Sequence, residues 1–146
     1  MIHDAQMLSR VKSLFQRAPS AERGEEGERR AEEFLRRQRG MRIVARNWRN
    51  PRDQREELDL VGAEGEVLVF IEVKARSAAA LVPGFFAVDA RKKQALRRAI
   101  RAYLRLLRVK PRTFRFDVVE VELAAVGEAA VRHFTNIPLF PKFFRP

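Results

Sequence analysis

The sequence predicts a single α/β domain whose elements run helix, three strands, helix, then one or two strands. Three observations predict it. Met41 to Trp48 alternates apolar and polar residues and is followed by β-rich segments up to Ala75, a helical apolar repeat covers Asp89 to Leu107, and Thr113 to Leu123 is again β-rich. A chain of 146 residues, 46% of them apolar, has room for one core and little more.

Residues 1–20 read as an extension. Met7, Leu8, Val11, Leu14 and Phe15 sit at helical spacing among Arg10, Lys12 and Arg17 until Pro19 interrupts. This short basic helix either docks on the domain or meets a membrane surface or partner. The domain proper is expected over residues 21–136. Its first helix spans Gly24 to Arg39, with Ala31, Phe34 and Leu35 on the apolar face and Gly40 placed for a left-handed cap.

In the first strand Met41, Ile43 and Ala45 alternate with Arg42, Val44 and Arg46, and a mobile basic loop is expected at Asn50-Pro51. Glu57 to Ala63 and Glu66 to Ala75 flank Glu64-Gly65 and read as a hairpin. A loop of small residues from Ser77 to Gly84 leads to the second helix, N-capped by Asp89, with Leu96, Ile100, Tyr103, Leu104 and Leu107 on one face. Thr113 to Leu123 is the last strong strand, with Ala130 to Phe134 as a candidate partner. Residues 137–146 form an aromatic, proline-punctuated tail.

The charge points to a polyanion. Thirty Lys and Arg against 19 Asp and Glu give +11, and the eleven bases between Ala90 and Phe116 have no acid among them. Arginine predominates, and its planar fork suits phosphate. Arg42, Arg46, Arg49, Arg52, Arg76, Lys92, Arg98, Arg101 and Arg105 are the candidate nucleic-acid contacts. The absence of cysteine excludes disulfides and thiolate metal centres and suits a reducing cytoplasm, the expected location. Apolar runs such as Val67 to Ile71 are far shorter than the roughly 20 residues needed to cross a bilayer, no secretory signal is evident, and membrane association is not expected.

The chemistry is expected on the hairpin. Side chains alternate along a strand, so Glu57 and Asp59 share a face while Leu58 and Leu60 point together into the core; Glu72 and Lys74 share a face by the same rule. A two-residue turn at Glu64-Gly65 sets Glu57 opposite Glu72 and Asp59 opposite Phe70, leaving Asp59 and Glu72 diagonal neighbours roughly 7–8 Å apart. Val67 to Ile71 is apolar on both faces, so Glu72 and Lys74 follow directly on a covered segment where charge is costly unless used. Clustered carboxylates repel unless Lys74 and a cation balance them, and all-oxygen ligands favour Mg²⁺ or Mn²⁺. His3 and His133 stand alone, which argues against zinc. The bland alternative is a solvated sheet face with cross-strand ion pairs.

The ordered set Gly27-Glu28 with Ala31, Leu35 and Gly40; Asn47 with Arg49; Glu57-Leu58-Asp59-Leu60-Val61; Val69-Phe70-Ile71-Glu72-Val73-Lys74-Ala75-Arg76; Val88 with Lys92; and Arg115-Phe116-Asp117-Val118-Val119 resembles the YraN family of uncharacterised proteins. That family is similar to the PD-(D/E)XK nucleases, near the archaeal Holliday-junction resolvases. The resemblance implies a restriction-endonuclease-like αβββαβ core, a central mixed β-sheet flanked by helices. It also implies Asp59, Glu72, the Val73 carbonyl and Glu28 around a Mg²⁺ or Mn²⁺ ion, Lys74 as the active-site lysine, and hydrolysis of phosphodiester bonds in DNA. Structure-selective or nonspecific cutting, branched or single-stranded substrates and a homodimer are its further expectations, with no small-molecule cofactor. A non-catalytic nucleic-acid-binding module on the same fold is the rival. The chain departs from the family at Glu56, where glycine is usual, and in a loop reduced to Pro83-Gly84.

Overall fold

The computed structural model describes residues 19–77, 89–124, 127 and 130–144. The basic helix expected at Met7 to Phe15, most of the small-residue loop, and Val88 lie outside the described residues. The elements are α1 (Pro19–Arg39), β1 (Arg42–Asn50), β2 (Asp53–Glu64), β3 (Val67–Ser77), α2 (Ala90–Leu106), β4 (Thr113–Leu123) and β5 (Ala130–Phe134). One sheet holds all five strands in the order β1-β2-β3-β4-β5. Only β3 and β4 are parallel, and α2 lies in the connection between them, which makes this a mixed sheet with one helical crossover.

Each helix covers one face. Ala31 and Leu35 of α1 pack with Met41, Leu60, Val69, Ile71, Val119 and Val121. Leu96, Ala99, Ile100, Tyr103 and Leu104 of α2 pack with Leu58, Val61, Phe70, Phe116 and Val118. The alternation of Val69, Phe70 and Ile71 between these clusters explains why β3 reads as a continuous apolar run. Each fully buried Leu or Ile contributes about 1.5–3 kcal/mol, so the two clusters fix both helices on the sheet. Among the described residues no helix is long and apolar enough to cross a membrane.

Helix α1 begins at Pro19 rather than Gly24, and ends where Gly40 turns left-handed (φ 63°) and the Met41 N–H donates to the Leu35 carbonyl. Its approach to the sheet depends on Gly27. A Cβ there would stand 2.5 Å from Ala75 Cβ, where β3 is paired to Val121 of β4. Gly27→Leu is therefore expected to lower stability by about 2–3 kcal/mol through overpacking, read as a reduced denaturant midpoint; an unchanged midpoint would show slack between α1 and β3.

Three local expectations are corrected. The basic loop at Asn50-Pro51 is a tight turn, with Asn50 Oδ1 accepting from Arg52 N at 3.1 Å, so β1 and β2 form a long hairpin. The second hairpin turns on Gly65 and Glu66, because Gly65 takes the positive φ (59°) that a two-residue turn demands of its first central position. Glu64 consequently pairs with Val67 and Leu60 with Ile71, which moves the register by two residues. Third, β1 carries an extra residue at Val44, a bulge between the pairs Ile43–Gly62 and Ala45–Val61 that leaves Val44 exposed.

The C-terminal tail packs against the domain. Ile137 N donates to Phe116 O at 2.7 Å, Arg97 holds the Leu139 carbonyl, and Leu139 is buried in the α2 cluster. Phe140 stacks on Phe144 at 4.3 Å beneath the Arg101 guanidinium. These contacts extend the α2 core beyond β5.

Candidate metal centre

The site forms where β2 and β3 part. Their pairing ends at Leu60–Ile71, and continuing that register puts Asp59 directly opposite Glu72, closer than the diagonal arrangement expected from a turn at Glu64-Gly65. Past this point Asp59 Oδ2 accepts the Val73 N–H at 2.8 Å, so a side chain takes over the ladder hydrogen bond. Leu58 and Leu60 do not point together into one core. Leu58 joins the α2 cluster and Leu60 the α1 cluster, so the strand's alternation breaks at Asp59. The neighbouring residue of β1, Asn47, is flanked by the pairs Arg46–Leu60 and Trp48–Leu58 and takes a left-handed φ of 46°. Asparagine tolerates that conformation better than most residues.

Glu72 is 3% exposed, and its two oxygens differ. Oε1 receives Lys74 Nζ at 3.2 Å and Lys92 Nζ at 3.3 Å. Oε2 is buried and has no hydrogen-bond partner among the described residues. Burial, reinforced by the charge of Glu72, pushes Asp59 up to about 8 despite the Val73 hydrogen bond. Glu28, projecting from α1, is raised by partial burial against a side-chain hydrogen bond from Asn47. For Lys92 burial works downward, but the charges of Glu72 and Asp59 lift it above the ordinary lysine value. Carboxylates are thus gathered beyond what two ammonium groups comfortably balance.

Asp59, Glu72 and Lys74 are brought together, and Val73 lies between the last two. Glu28 is adjacent but bonded to Asn47 and stays outside the immediate pair: among the described residues no three carboxylate or imidazole groups form a ready-made metal cluster. Two carboxylates nevertheless suit Mg²⁺, which keeps several waters and takes few protein ligands. The unpartnered Glu72 Oε2 and the displaced Asp59 equilibrium are both features a hard cation would relieve, so the donor set fits such an ion.

The basic candidates divide into two groups. Lys92 meets Glu72, Arg46 meets Glu32 at 2.7 Å, Arg49 meets Glu57 at 2.8 Å, and Arg98 meets Glu56 at 3.1 Å. Their charge is partly committed inside the fold. Arg101 lies over two aromatic rings and Arg76 is also engaged, while Arg42, Arg52 and Arg105 make no ion pair with a described acid. Glu56, the departure from glycine, is buried and accepts from Asn50 as well as Arg98, clamping the first hairpin to α2. His133 does not stand alone: its Nε2 is 2.8 Å from Asp117 Oδ2, beside Arg115 and the Asn136 N–H, in a buried network away from the carboxylate pair. His3 lies outside the described residues.

Sequence reasoning assigned Lys92 to phosphate and missed its place at Glu72. The available signal was its position four residues before Leu96, on the buried stripe of α2. The role of Asn47 as the partner of Glu28 was also missed, and its left-handed backbone leaves no signal in the pattern of apolar residues.

A mixed sheet between two helices, with an acid opposite a Glu-x-Lys strand at the point where two strands part, defines a restriction-endonuclease-like protein of the PD-(D/E)XK type. The model of the uncharacterised protein family UPF0102, the YraN family, matches residues 27–121, and the chain belongs to that family. It is 42% identical over 113 residues to the UPF0102 protein of Symbiobacterium thermophilum, covering 77% of this chain and 92% of the relative. A UPF0102 protein of Koribacter versatilis is 45% identical over 100 residues, 68% of each chain, and one of Porphyromonas gingivalis 37% over 123 residues, 83% of this chain and 87% of its own. Glu28, Asp59, Glu72, Lys74 and Lys92 all lie within the matched span.

Proposed function

We propose that the chain is a metal-dependent endonuclease-like phosphodiesterase acting on DNA. The observation that carries this reading is the Asp59–Glu72 pair, in which Glu72 is buried with two ammonium groups on Oε1 and, among the described residues, no hydrogen-bond partner on Oε2. Asp59 and Glu72 would hold Mg²⁺ or Mn²⁺, with the Val73 carbonyl and Glu28 as further oxygen donors. Such an ion, when bound, polarises a phosphoryl oxygen and lowers the pKa of its water. Lys74 places its ammonium beside the carboxylates, where it orients an attacking water and offsets charge developing on the phosphoryl group. Arg42, Arg52 and Arg105, free of internal ion pairs with described acids, bind the phosphate backbone and give affinity with little sequence selection. The test is cutting of branched or single-stranded DNA by the purified chain, dependent on Mg²⁺ or Mn²⁺ and lost with chelator.

A non-catalytic binding module is the second reading, favoured by the lack of a preassembled three-acid cluster among the described residues. It predicts DNA binding without cutting under any metal. Under both readings log affinity for duplex DNA falls with log salt at roughly 0.9 per phosphate contacted, and Arg52→Ala or Arg105→Ala each lowers that slope by about 1. An affinity indifferent to salt would remove nucleic acid as the partner.

A further inference from the structure

Two lysines share Glu72 Oε1, and they reach it from different elements. Lys74 is two residues along the same strand, so its backbone is carried next to the carboxylate by β3 itself. Lys92 comes from across the sheet face, in the first turn of α2, where Asp89 caps the helix by accepting the Lys92 N–H at 2.8 Å. That cap and the burial of Leu96 one turn later fix the Lys92 backbone, while its four-carbon stem leaves the ammonium free to move over several ångströms. Its side chain is 32% exposed, against 4% for Glu72, so it has a route to solvent and to an arriving phosphate.

We propose that Lys92 is an internal counter-cation, neutralising the Asp59–Glu72 pair in the metal-free chain, competing with a divalent cation for Glu72, and passing to a substrate phosphate when the cation is held. The inference rests on the metal-site reading above. A monovalent ammonium at 3.3 Å opposes entry of a divalent ion by charge repulsion, whereas a DNA phosphate supplies the anion that draws Lys92 away. Metal and DNA then strengthen each other's binding, because each favours the arrangement in which Lys92 has left Glu72. Without DNA the site binds the cation more weakly. Lys92 acts through Glu72 in the free chain and is a positioning residue in that state.

The experiment measures Mn²⁺ binding by calorimetry to the full chain, wild type, Lys92→Met and Lys92→Arg, with and without a cleavage-resistant phosphorothioate DNA. Lys92→Met is expected to bind Mn²⁺ about tenfold more tightly than wild type in the absence of DNA, since one unit of positive charge beside the ligands is gone. DNA is expected to tighten Mn²⁺ binding to wild type by a similar factor and to have little effect on Lys92→Met, with Lys92→Arg remaining close to wild type. Thermal unfolding verifies that each variant is folded, and Lys92→Gln provides the same comparison if the methionine variant is not. Wild type that binds Mn²⁺ no more weakly than a folded Lys92→Met or Lys92→Gln overturns the role of Lys92 and leaves the metal site standing. Failure of every protein to bind Mn²⁺, with or without DNA, overturns both.

Discussion

Asp59→Ala and Glu72→Ala are each expected to reduce cutting of branched or single-stranded DNA by roughly 10³-fold or more, with DNA affinity changing by less than about threefold. The two effects separate because the residues and the basic surface do different work. Glu72 is buried and Asp59 half-buried at the parting of β2 and β3, and on the proposed reading the DNA backbone falls instead to Arg42, Arg52 and Arg105, which make no ion pair with a described acid. Removing either acid leaves one carboxylate of the pair with Glu28, which is bonded to Asn47, too weak a donor set to hold a hard cation firmly against its hydration shell. If anything, affinity rises slightly, because a negative charge is lost near the phosphates. Single-turnover cutting with Mn²⁺, beside binding measured in chelator, gives both quantities. Cutting that survives both substitutions defeats the hydrolytic reading and leaves the binding module.

Asp59→Asn is expected to stabilise the metal-free protein at pH 8 by on the order of a few kcal/mol. Burial and the neighbouring Glu72 raise the Asp59 equilibrium from 3.8 to about 8 in the folded chain. Between those values the folded protein keeps a proton that the unfolded chain has released. The stability this group contributes is therefore fully present below about pH 4 and is lost progressively as pH rises toward 8. Asparagine has no charge to desolvate, and its Oδ1 can still accept the Val73 N–H that Asp59 holds at 2.8 Å. Wild type and variant should consequently be similar near pH 4 and diverge as pH increases, with Mn²⁺ restoring the wild type at pH 8 and doing little for the variant. Parallel stability curves from pH 4 to pH 8 would show that Asp59 is ionised and comfortable without a metal. A residue whose charged form destabilises its own fold until a cation arrives is what a binding site, rather than a surface ion pair, would contain.

Much of this arrangement was legible in the residues. The apolar repeat of α2 predicted its buried face, and Asp89 predicted its cap, because both depend on spacing within one or two turns. The hairpin placed Asp59 and Glu72 near one another even with its turn misplaced. A shift of two residues preserves strand parity, and carrying the register on past Leu60–Ile71 brings the pair from a diagonal to an opposed position. The misplacement itself was local: the turn slides by one residue, so that Glu64 joins the ladder opposite Val67 instead of taking a turn position.

By itself, then, the sequence determined the element order, the two apolar faces, the Asp59 and Glu-x-Lys pattern, and the excess of arginine over acid. Those features follow from periodicity, capping and composition, which act between near neighbours in the chain. Only the tertiary structure decided that strand alternation breaks at Asp59, that Asn47 holds Glu28, that Lys92 joins Glu72, and that Arg46, Arg49 and Arg98 are tied to acids of the fold. Each of these depends on which distant groups share a desolvated space, and the cost of burying a charge is set by the partner that packing brings to it.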